Sequence, residues 1–463
     1  MAPKSAITPR PMDRRNFLLR SGSLGALLAG STLSNTVMAE NYAAPAGAEP
    51  DCSFNQLAGD FTYLNSGTEG SMPKCVLEDL QNNLQRWASD PTTAYEADET
   101  LGKRQHKTRA DIAKILGVEK NNICLTDNTT MGLNMVLTGL SFTASDKVIV
   151  TNHEHNAILS PLTVISERIG TTVITRSFPA AKDLPGFSVA ALMDHLFPNT
   201  PELRGAAALC VSHVYPTTGV RLPLDLLRKK ADELGIRYLI VDGAQAFGML
   251  DTSQGPEHIT HCDFYACPGH KWLNGPPSTG ILFLKNADIR PPEFYPMLSQ
   301  RMYKYRDGNS NFPMAQALQV RGCSNAPGFG AMLRAMKFQI ELGGASVVEN
   351  HILGLSASVK AFIHEAAPLA LVSPAETDKL QSGLTVFFPF RWQSPNTLFT
   401  DKKTCDLVVD RLLEKNIQIR SIGFDDPSSE RKLYALRVST AIFTTPQQLN
   451  QFQAALQATL RQL

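Results

Sequence analysis

Between Asn122 and Leu284 short, largely apolar runs alternate with segments of helical periodicity, and few folds accept that alternation. The runs Asn122–Leu125, Lys147–Thr151, Thr172–Arg176, Ala206–Ser212, Tyr238–Asp242, Asp263–Cys267 and Gly280–Leu284 read as strands. Several carry no polar alternation, the mark of strands covered on both faces. Between them, Met131–Leu140, Asn156–Ile169, Val189–Leu196 and Leu224–Leu234 read as helices. The pattern predicts an α/β fold with a mostly parallel sheet under helices on both sides. Ligands of such sheets lie beyond the carboxyl ends of the strands.

The flanks differ. A strand, Phe61–Leu64, enters a turn at Asn65-Ser66-Gly67, and a loop runs from Thr68 to Pro73. Helices follow at Pro73–Trp87 and Leu101–Leu116, the second capped by Gly117, with a polar loop from Asp90 to Thr100 between them. From Ala326 onward long helices (Ala326–Leu342 and Ser346–His364) precede strands at Leu384–Phe388, Ile417–Ser421 and Leu433–Val438 and a last helix at Pro446–Leu460. With 463 residues the chain exceeds one ordinary domain. The expected division is an arm at 40–74, a large unit at 75–325 and a small α+β unit at 326–463 to which the arm contributes. A net charge of +1 leaves no electrostatic footprint for nucleic acid. The eight cysteines are scattered, with no CxxC pair or zinc spacing, and their even number does not establish disulfides. Cys124, Cys210 and Cys267 sit in strand-like surroundings that suit buried, unreactive thiols.

The first 39 residues differ in kind. Asp13-Arg14-Arg15-Asn16-Phe17-Leu18 precedes a stretch free of charge between Arg20 and Glu40, and Val37-Met38-Ala39 offers small residues before a cut at Glu40. Such a segment looks like a twin-arginine export signal. A signal anchor and a disordered tail are the alternatives, and the run is too polar for a stable membrane span. Met12, directly before the motif, is an alternative start. The expectation is export to the periplasm through the twin-arginine translocase.

Four motifs could carry chemistry. Lys271, in Gly269-His270-Lys271-Trp272, sits between two apolar strands. It is either a surface-turn cation or a desolvated amine able to attack a carbonyl. Asp242 closes the strand YLIVD, with Gln245 close behind. A carboxylate there needs a cationic partner, unless it merely caps the next helix. Asn128-Thr129-Thr130 lies at a strand-to-helix junction, where free N–H groups bind phosphate and where Asn128 or Thr129 could simply cap the helix. His153-Glu154-His155 follows the strand KVIVT. A histidine there could stack on a flat ring or serve as a structural hydrogen-bond partner. A metal site is disfavoured because no third ligand cluster is visible.

The order and spacing of these motifs, with Gly-His-Lys about 26 residues beyond Gln245, resemble the class V aminotransferases. This group of fold-type-I pyridoxal-phosphate enzymes includes cysteine desulfurases, kynureninases and isopenicillin-N-epimerase-like proteins. The resemblance runs from Tyr63-Leu64-Asn65-Ser66-Gly67 to Arg437-Val438-Ser439. It implies pyridoxal 5'-phosphate as cofactor and a large domain with a seven-stranded-type sheet beside a small C-terminal domain. Lys271 is implied as the Schiff-base lysine and proton shuttle, and Asp242 as the carboxylate that keeps the pyridine nitrogen protonated. Gln245 would face the ring's phenolic oxygen, and His155 would stack on the ring. Thr129, Thr130 and His270 would hold the phosphate. Arg437 would take the substrate carboxylate in a bidentate fork, and Asn65 resembles a substrate-side asparagine.

Departures from the pattern matter. The segment Arg420–Leu436 lacks the nucleophilic cysteine of the desulfurases. Pro268 replaces a common phosphate-binding serine, and Met131 a common glutamate. In Arg321-Gly322-Cys323-Ser324-Asn325, Cys323 replaces the threonine by which a homodimer partner touches the phosphate. Exported members of the family resemble periplasmic enzymes of pyoverdine siderophore maturation. That implies a small peptide or amino-acid substrate, with the glutamate of a siderophore precursor becoming a succinamide or a keto acid. The alternatives are an epimerase or plain aminotransferase on a small amino acid, and a non-catalytic binding protein that keeps the cofactor fold.

Overall fold

The computed structural model describes residues 52, 57, 61–91, 103–297, 299, 313–374 and 379–463. The expected export segment at 1–39 lies outside them, as does the expected loop between Asp90 and Thr100 beyond residue 91. Strand β1 (Thr62–Tyr63) leads into an arm that ends at helix α1 (Lys74–Ser89), and α2 (Lys103–Ile115) follows. The chain then runs β2 (Ile123–Thr126), α3 (Thr129–Gly139), β3 (Lys147–Thr151), α4 (Asn156–Ile169), β4 (Thr172–Arg176), α5 (Val189–Leu196), β5 (Ala208–Ser212), α6 (Leu224–Glu233), β6 (Tyr238–Asp242), β7 (Phe264–Pro268) and β8 (Gly280–Leu284).

These seven strands form one sheet in the order β2-β8-β7-β6-β5-β3-β4. The pairs β3–β4, β3–β5, β5–β6 and β6–β7 are parallel, whereas β8 is antiparallel to both β7 and β2. The physical reason is in the connections. A parallel neighbour needs a crossover, which the helices supply; β7 and β8 are joined without one, so the chain reverses. Every residue of β5, β6, β7 and β8 is buried, which is why these runs show no polar alternation.

The second half brings α7 (Met314–Gln319), α8 (Ala326–Glu341), α9 (Ala345–Ala366), β9 (Leu384–Phe387), β10 (Phe390–Arg391), β11 (Ser394–Leu398), α10 (Lys402–Leu413), β12 (Ile417–Gln418), β13 (Arg420–Phe424), β14 (Leu433–Ser439) and α11 (Pro446–Leu460). Gly343 and Gly344, at φ +111° and +96°, break the path between α8 and α9 where a side chain would be strained. Strands β13, β14 and β9 form an antiparallel sheet in that order. Its core joins Leu355, Val359, Leu436, Val438, Leu449 and Phe452, whereas Phe329, Met332 and Met336 of α8 belong to the larger core that includes Tyr265 and Trp272.

Three differences from the sequence reading stand out. The expected strand at Ile417–Ser421 is two strands interrupted at Ile419. Helix α10 was not anticipated, although Cys405, Val408 and Leu412 are spaced as one buried face and Asp401 caps it by accepting from the Thr404 N–H at 2.9 Å. A disulfide joins Cys52 to Cys75 with the Cα atoms 4.9 Å apart, tying the chain ahead of β1 to α1. Of the free cysteines among the described residues, Cys323 is exposed and Cys124, Cys210, Cys262, Cys267 and Cys405 are buried. Burial pushes the Cys124, Cys210 and Cys267 thiols up, which keeps them protonated.

The arm is one of the links between the two halves. β1 pairs in parallel with β12, and Asn65 bridges to Ser439 at the end of β14. The loop that follows therefore lies over the carboxyl ends of the large sheet.

Candidate active site

Beyond those strand ends lies a cavity of about 300 Å³, lined by Asn128, Thr129, Thr130, His155, Asp242, Gln245, Pro268, His270 and Lys271 among others. Each residue reaches it by a local cause. Asp242 is the last residue of β6, 4 % exposed, and its Oδ1 accepts from the Ala244 N–H at 2.8 Å. Burial raises its carboxyl above the usual range, while the Ala244 N–H, Lys271 and His155 act against that rise. Thr129 opens α3, whose cap is Asn128: its side chain accepts from the Met131 N–H at 2.9 Å. Capping is thus done by Asn128, and the buried Thr129 hydroxyl is left without a partner. The His270 Nδ1 is likewise buried and unpartnered. An anion between these groups at the amino end of a helix would satisfy both.

Lys271 lies just past β7. The connection is pinned where the Gly269 N–H donates to Thr279 O at 2.7 Å and the Gly275 N–H donates to Gly269 O at 2.8 Å. Pro268 ends the strand, paired with Gly280, so the turn begins one residue later than the sequence suggested. Burial draws the Lys271 ammonium down to about 8. The Asp242 charge opposes that shift, and the charges of Arg437 and Arg420 reinforce it. At neutral pH about a tenth of the amine is then free, against a few parts in ten thousand for an ordinary lysine, which is the form a carbonyl-attacking nitrogen requires.

Gln245 is held at both ends. Its Nε2 donates to Gly67 O at 2.8 Å, and its Oε1 accepts from Trp272 Nε1 at 2.9 Å. The arm, the Asp242 strand end and the lysine turn are thereby fastened together. His155 caps α4, its Nδ1 accepting from the Ala157 N–H at 3.1 Å, and the ring borders the cavity. The neighbouring histidine and glutamate point elsewhere. His153 Nδ1 lies 2.8 Å from Thr217 Oγ1, and Glu154 accepts from Thr151, Ser212 and Tyr215 at 2.8, 2.7 and 2.9 Å. Burial raises Glu154 to about 7, against those three hydroxyls, and the residue braces the ends of β3 and β5 beside the cavity. Its sequence signal was its place next to His155.

The corner expected to hold the substrate is built by the arm and the C-terminal sheet. Arg437 on β14 is 4 % exposed, and its Nη2 donates to Thr68 Oγ1 at 2.9 Å and to Asn65 Oδ1 at 3.4 Å. Its Nε is buried with no partner. Burial pulls the guanidinium down to about 9, and Arg420 adds to that. Thr68 and Arg420, which the sequence reading did not single out, complete this corner: Arg420 Nη1 also donates to Thr68 Oγ1, at 3.0 Å. Cys323 is exposed and is not among the residues lining the cavity of its own chain.

Because the Gly70 N–H donates to His270 O at 2.7 Å, the arm sits directly on the lysine turn. A Cβ at Gly70 would lie 1.9 Å from Lys271 O, a backbone atom that cannot swing aside. Gly70→Ala is expected to cost about 1–3 kcal/mol of stability by overpacking. Thermal melting of the variant checks this: an unchanged midpoint would mean the arm does not seat here.

Comparison with known proteins gives the aminotransferase class-V family model as a match to residues 62–452. Isopenicillin N epimerase of Streptomyces clavuligerus is 27 % identical over 295 residues, covering 61 % of this chain and 70 % of that protein. A probable cysteine desulfurase of Pyrococcus abyssi is 25 % identical over 231 residues, 49 % of this chain and 54 % of that protein. The chain thus spans little more than half the length of that desulfurase relative. Among solved structures, the apo cysteine desulfurase of Thermococcus onnurineus NA1 has a TM-score of 0.67 at 19 % identity, covering 87 % of this chain and 96 % of that one. A C-DES mutant with glycine covalently linked to its PLP cofactor has a TM-score of 0.65 at 23 % identity, covering 86 % of this chain and 96 % of that one. At those identities the structural likeness speaks for the fold.

Proposed function

The chain belongs to the class V aminotransferase family of pyridoxal-phosphate enzymes, and on that premise we propose that it acts in the periplasm on the glutamate of a pyoverdine siderophore precursor, converting it to succinamide, with the α-carboxyl leaving as carbon dioxide and dioxygen taking up the four electrons as the external oxidant. The observation that carries the amino-acid part of the reading is Arg437, a buried guanidinium whose Nε has no partner and whose charge reaches Lys271. A free carboxylate is the group that satisfies such a fork. Bound in the cavity, pyridoxal phosphate supplies an electron sink for the amino acid's α-carbon. Lys271 Nζ would hold the carbonyl carbon of the cofactor and move the proton at the α-carbon. Asp242 would keep the proton on the ring nitrogen, Gln245 would face the phenolic oxygen, and His155 would cover one ring face. Thr129, Thr130 and His270 would bind the phosphate, with Pro268 contributing no donor. Asn65 and Arg437 would orient the substrate carboxylate.

The Arg14-Arg15 segment supports export through the twin-arginine translocase, and the Cys52–Cys75 disulfide supports an oxidising compartment. The division at 75–325 and 326–463, with the arm at 40–74, and a homodimer in which Cys323 approaches the partner's site belong to the same proposal. Desulfurization is not proposed, because the segment between Arg420 and Arg437 carries no thiol. A second reading, epimerization or transamination of a small amino acid, is favoured by the relation to isopenicillin N epimerase.

Mass spectrometry of the siderophore pool from a deletion strain tests the main reading. Accumulation of the glutamate form supports it, and an unchanged succinamide content sinks it. Arg437→Ala is expected to lower kcat/KM by about 2–5 kcal/mol while cofactor stays bound. Cofactor lost together with activity would show that Arg437 had been given the wrong role.

A further inference from the structure

The antiparallel register of β13 and β14 sets Arg420 directly opposite Arg437. Directly opposed side chains leave the same face of a sheet at close range, and like charges so placed destabilise the pair. Tyr63 favours the Arg437 charge, but no carboxylate does. Among the described residues neither arginine forms an ion pair with a carboxylate, and their shared partner is a neutral hydroxyl, Thr68 Oγ1, at 3.0 and 2.9 Å. That hydroxyl has its own proton committed, donated to Asn65 Oδ1 at 2.8 Å. The acid on the same turn, Glu69, acts on Tyr63 and His270 and is not among the charges that act on Arg437.

The two arginines are not equivalent. Arg437 is buried and presents its unpartnered Nε. Arg420 is exposed, with one Nη engaged by Thr68, so its remaining donors face outward from the same corner. An inner fork and an outer fork, both without a carboxylate counter-ion among the described residues and both bearing on Lys271, make a corner suited to two negative groups.

We propose that Arg420 is a substrate-binding residue that takes a second carboxylate, so that the preferred substrate carries one acid on Arg437 and another farther out on Arg420. The proposal rests on the reading of Arg437 as the holder of the inner carboxylate. The outer acid has two sources, the side chain of a free dicarboxylic amino acid or an acidic group elsewhere on a larger precursor, and the spacing between the two acids separates them.

The test uses unreactive acids on the cofactor-loaded enzyme, with dissociation constants from titration calorimetry. Wild type, Arg420→Gln, Arg420→Lys and Arg437→Gln are each titrated with butyrate and with succinate, glutarate, adipate and suberate. Wild type is expected to bind one of the diacids about five- to tenfold more tightly than butyrate, the scale of one charge-assisted contact at a partly exposed site. Arg420→Gln should erase that gain and leave butyrate within about twofold, while Arg420→Lys, which keeps the charge, retains part of it. A gain peaking at succinate or glutarate assigns the outer acid to an amino-acid side chain, and a peak at suberate assigns it to a larger precursor. If Arg420→Gln weakens butyrate and diacids alike, both arginines grip one carboxylate and the proposal is overturned. It is equally overturned if no diacid outbinds butyrate in wild type. Arg437→Gln reads the underlying premise separately: it should weaken every acid, and unchanged butyrate affinity there would reject the role of Arg437 whatever Arg420 does. Melting curves control for folding, since removing one of two opposed cations should leave the Arg420→Gln midpoint at or above that of wild type.

Discussion

Replacing Lys271 by alanine is expected to abolish both covalent attachment of the cofactor and turnover. No other lysine lines the cavity, and the Lys271 ammonium is drawn down to about 8 by its burial there. Two contributions vanish together. One is the amine that attacks the cofactor's carbonyl; the other is the base that moves the substrate proton, worth about 10²–10⁴-fold by itself. Borohydride reduction followed by mass measurement of the chain reads the first directly. Pyridoxal mass fixed to the Lys271→Ala chain would show that another amine does this work. The pH dependence carries a sign. The amine must be unprotonated to attack, so the rate at which cofactor-free protein captures pyridoxal phosphate should rise with pH and level off above about 8.

The second large effect is expected from Asp242→Asn. The amide has the carboxylate's shape and can still accept the Ala244 N–H through its oxygen, so the β6 end should keep its course. The negative charge alone is removed. Without it the ring nitrogen loses the partner that keeps it protonated, and turnover should fall by about 10²–10³-fold, the scale of losing one preorganised electrostatic contact. Cofactor should still be fixable to Lys271. The same substitution has a consequence at the lysine. Asp242 opposes the downward shift of Lys271, so its removal should carry the capture midpoint below about 8, not above it. A midpoint that climbs, or turnover within a few-fold of wild type, would mean that Asp242 does not face the ring nitrogen.

Much of this site was legible because a strand end is a sequence-local event. YLIVD is apolar up to its last residue, so the carboxylate falls where β6 leaves the core. Likewise β3, α4, α5, β6 and β8 lie where periodicity placed them, since burial on both faces or on one helical stripe leaves its own imprint. Legibility failed where two distant segments had to meet. Nothing local marks Thr68 as the residue on which Arg420 and Arg437 converge, because that contact needs β1 to pair with β12 and β13 with β14. Gly70 reads as an ordinary loop glycine until Lys271 O is found where its Cβ would be. At Asn128-Thr129 the sequence left capping and phosphate binding both open. The structure divides them, with Asn128 closing the helix and the Thr129 hydroxyl left unpaired beside the cavity.

The amino-acid sequence by itself determined the α/β architecture, the strand ends, the places of Lys271 and Asp242 at those ends, and the likeness to a family that binds pyridoxal phosphate. All of these follow from side-chain periodicity and from motifs contained within a few residues. Only the tertiary structure decided which groups are left without partners. Arg437 Nε, Thr129 Oγ1 and His270 Nδ1 are orphaned because elements far apart in the chain exclude water around them and supply no acceptor or donor in return. The two opposed arginines stand without a carboxylate counter-ion among the described residues for the same reason. An unpaired group is a property of everything that surrounds it, and the surroundings exist only once the arm has closed over the sheet.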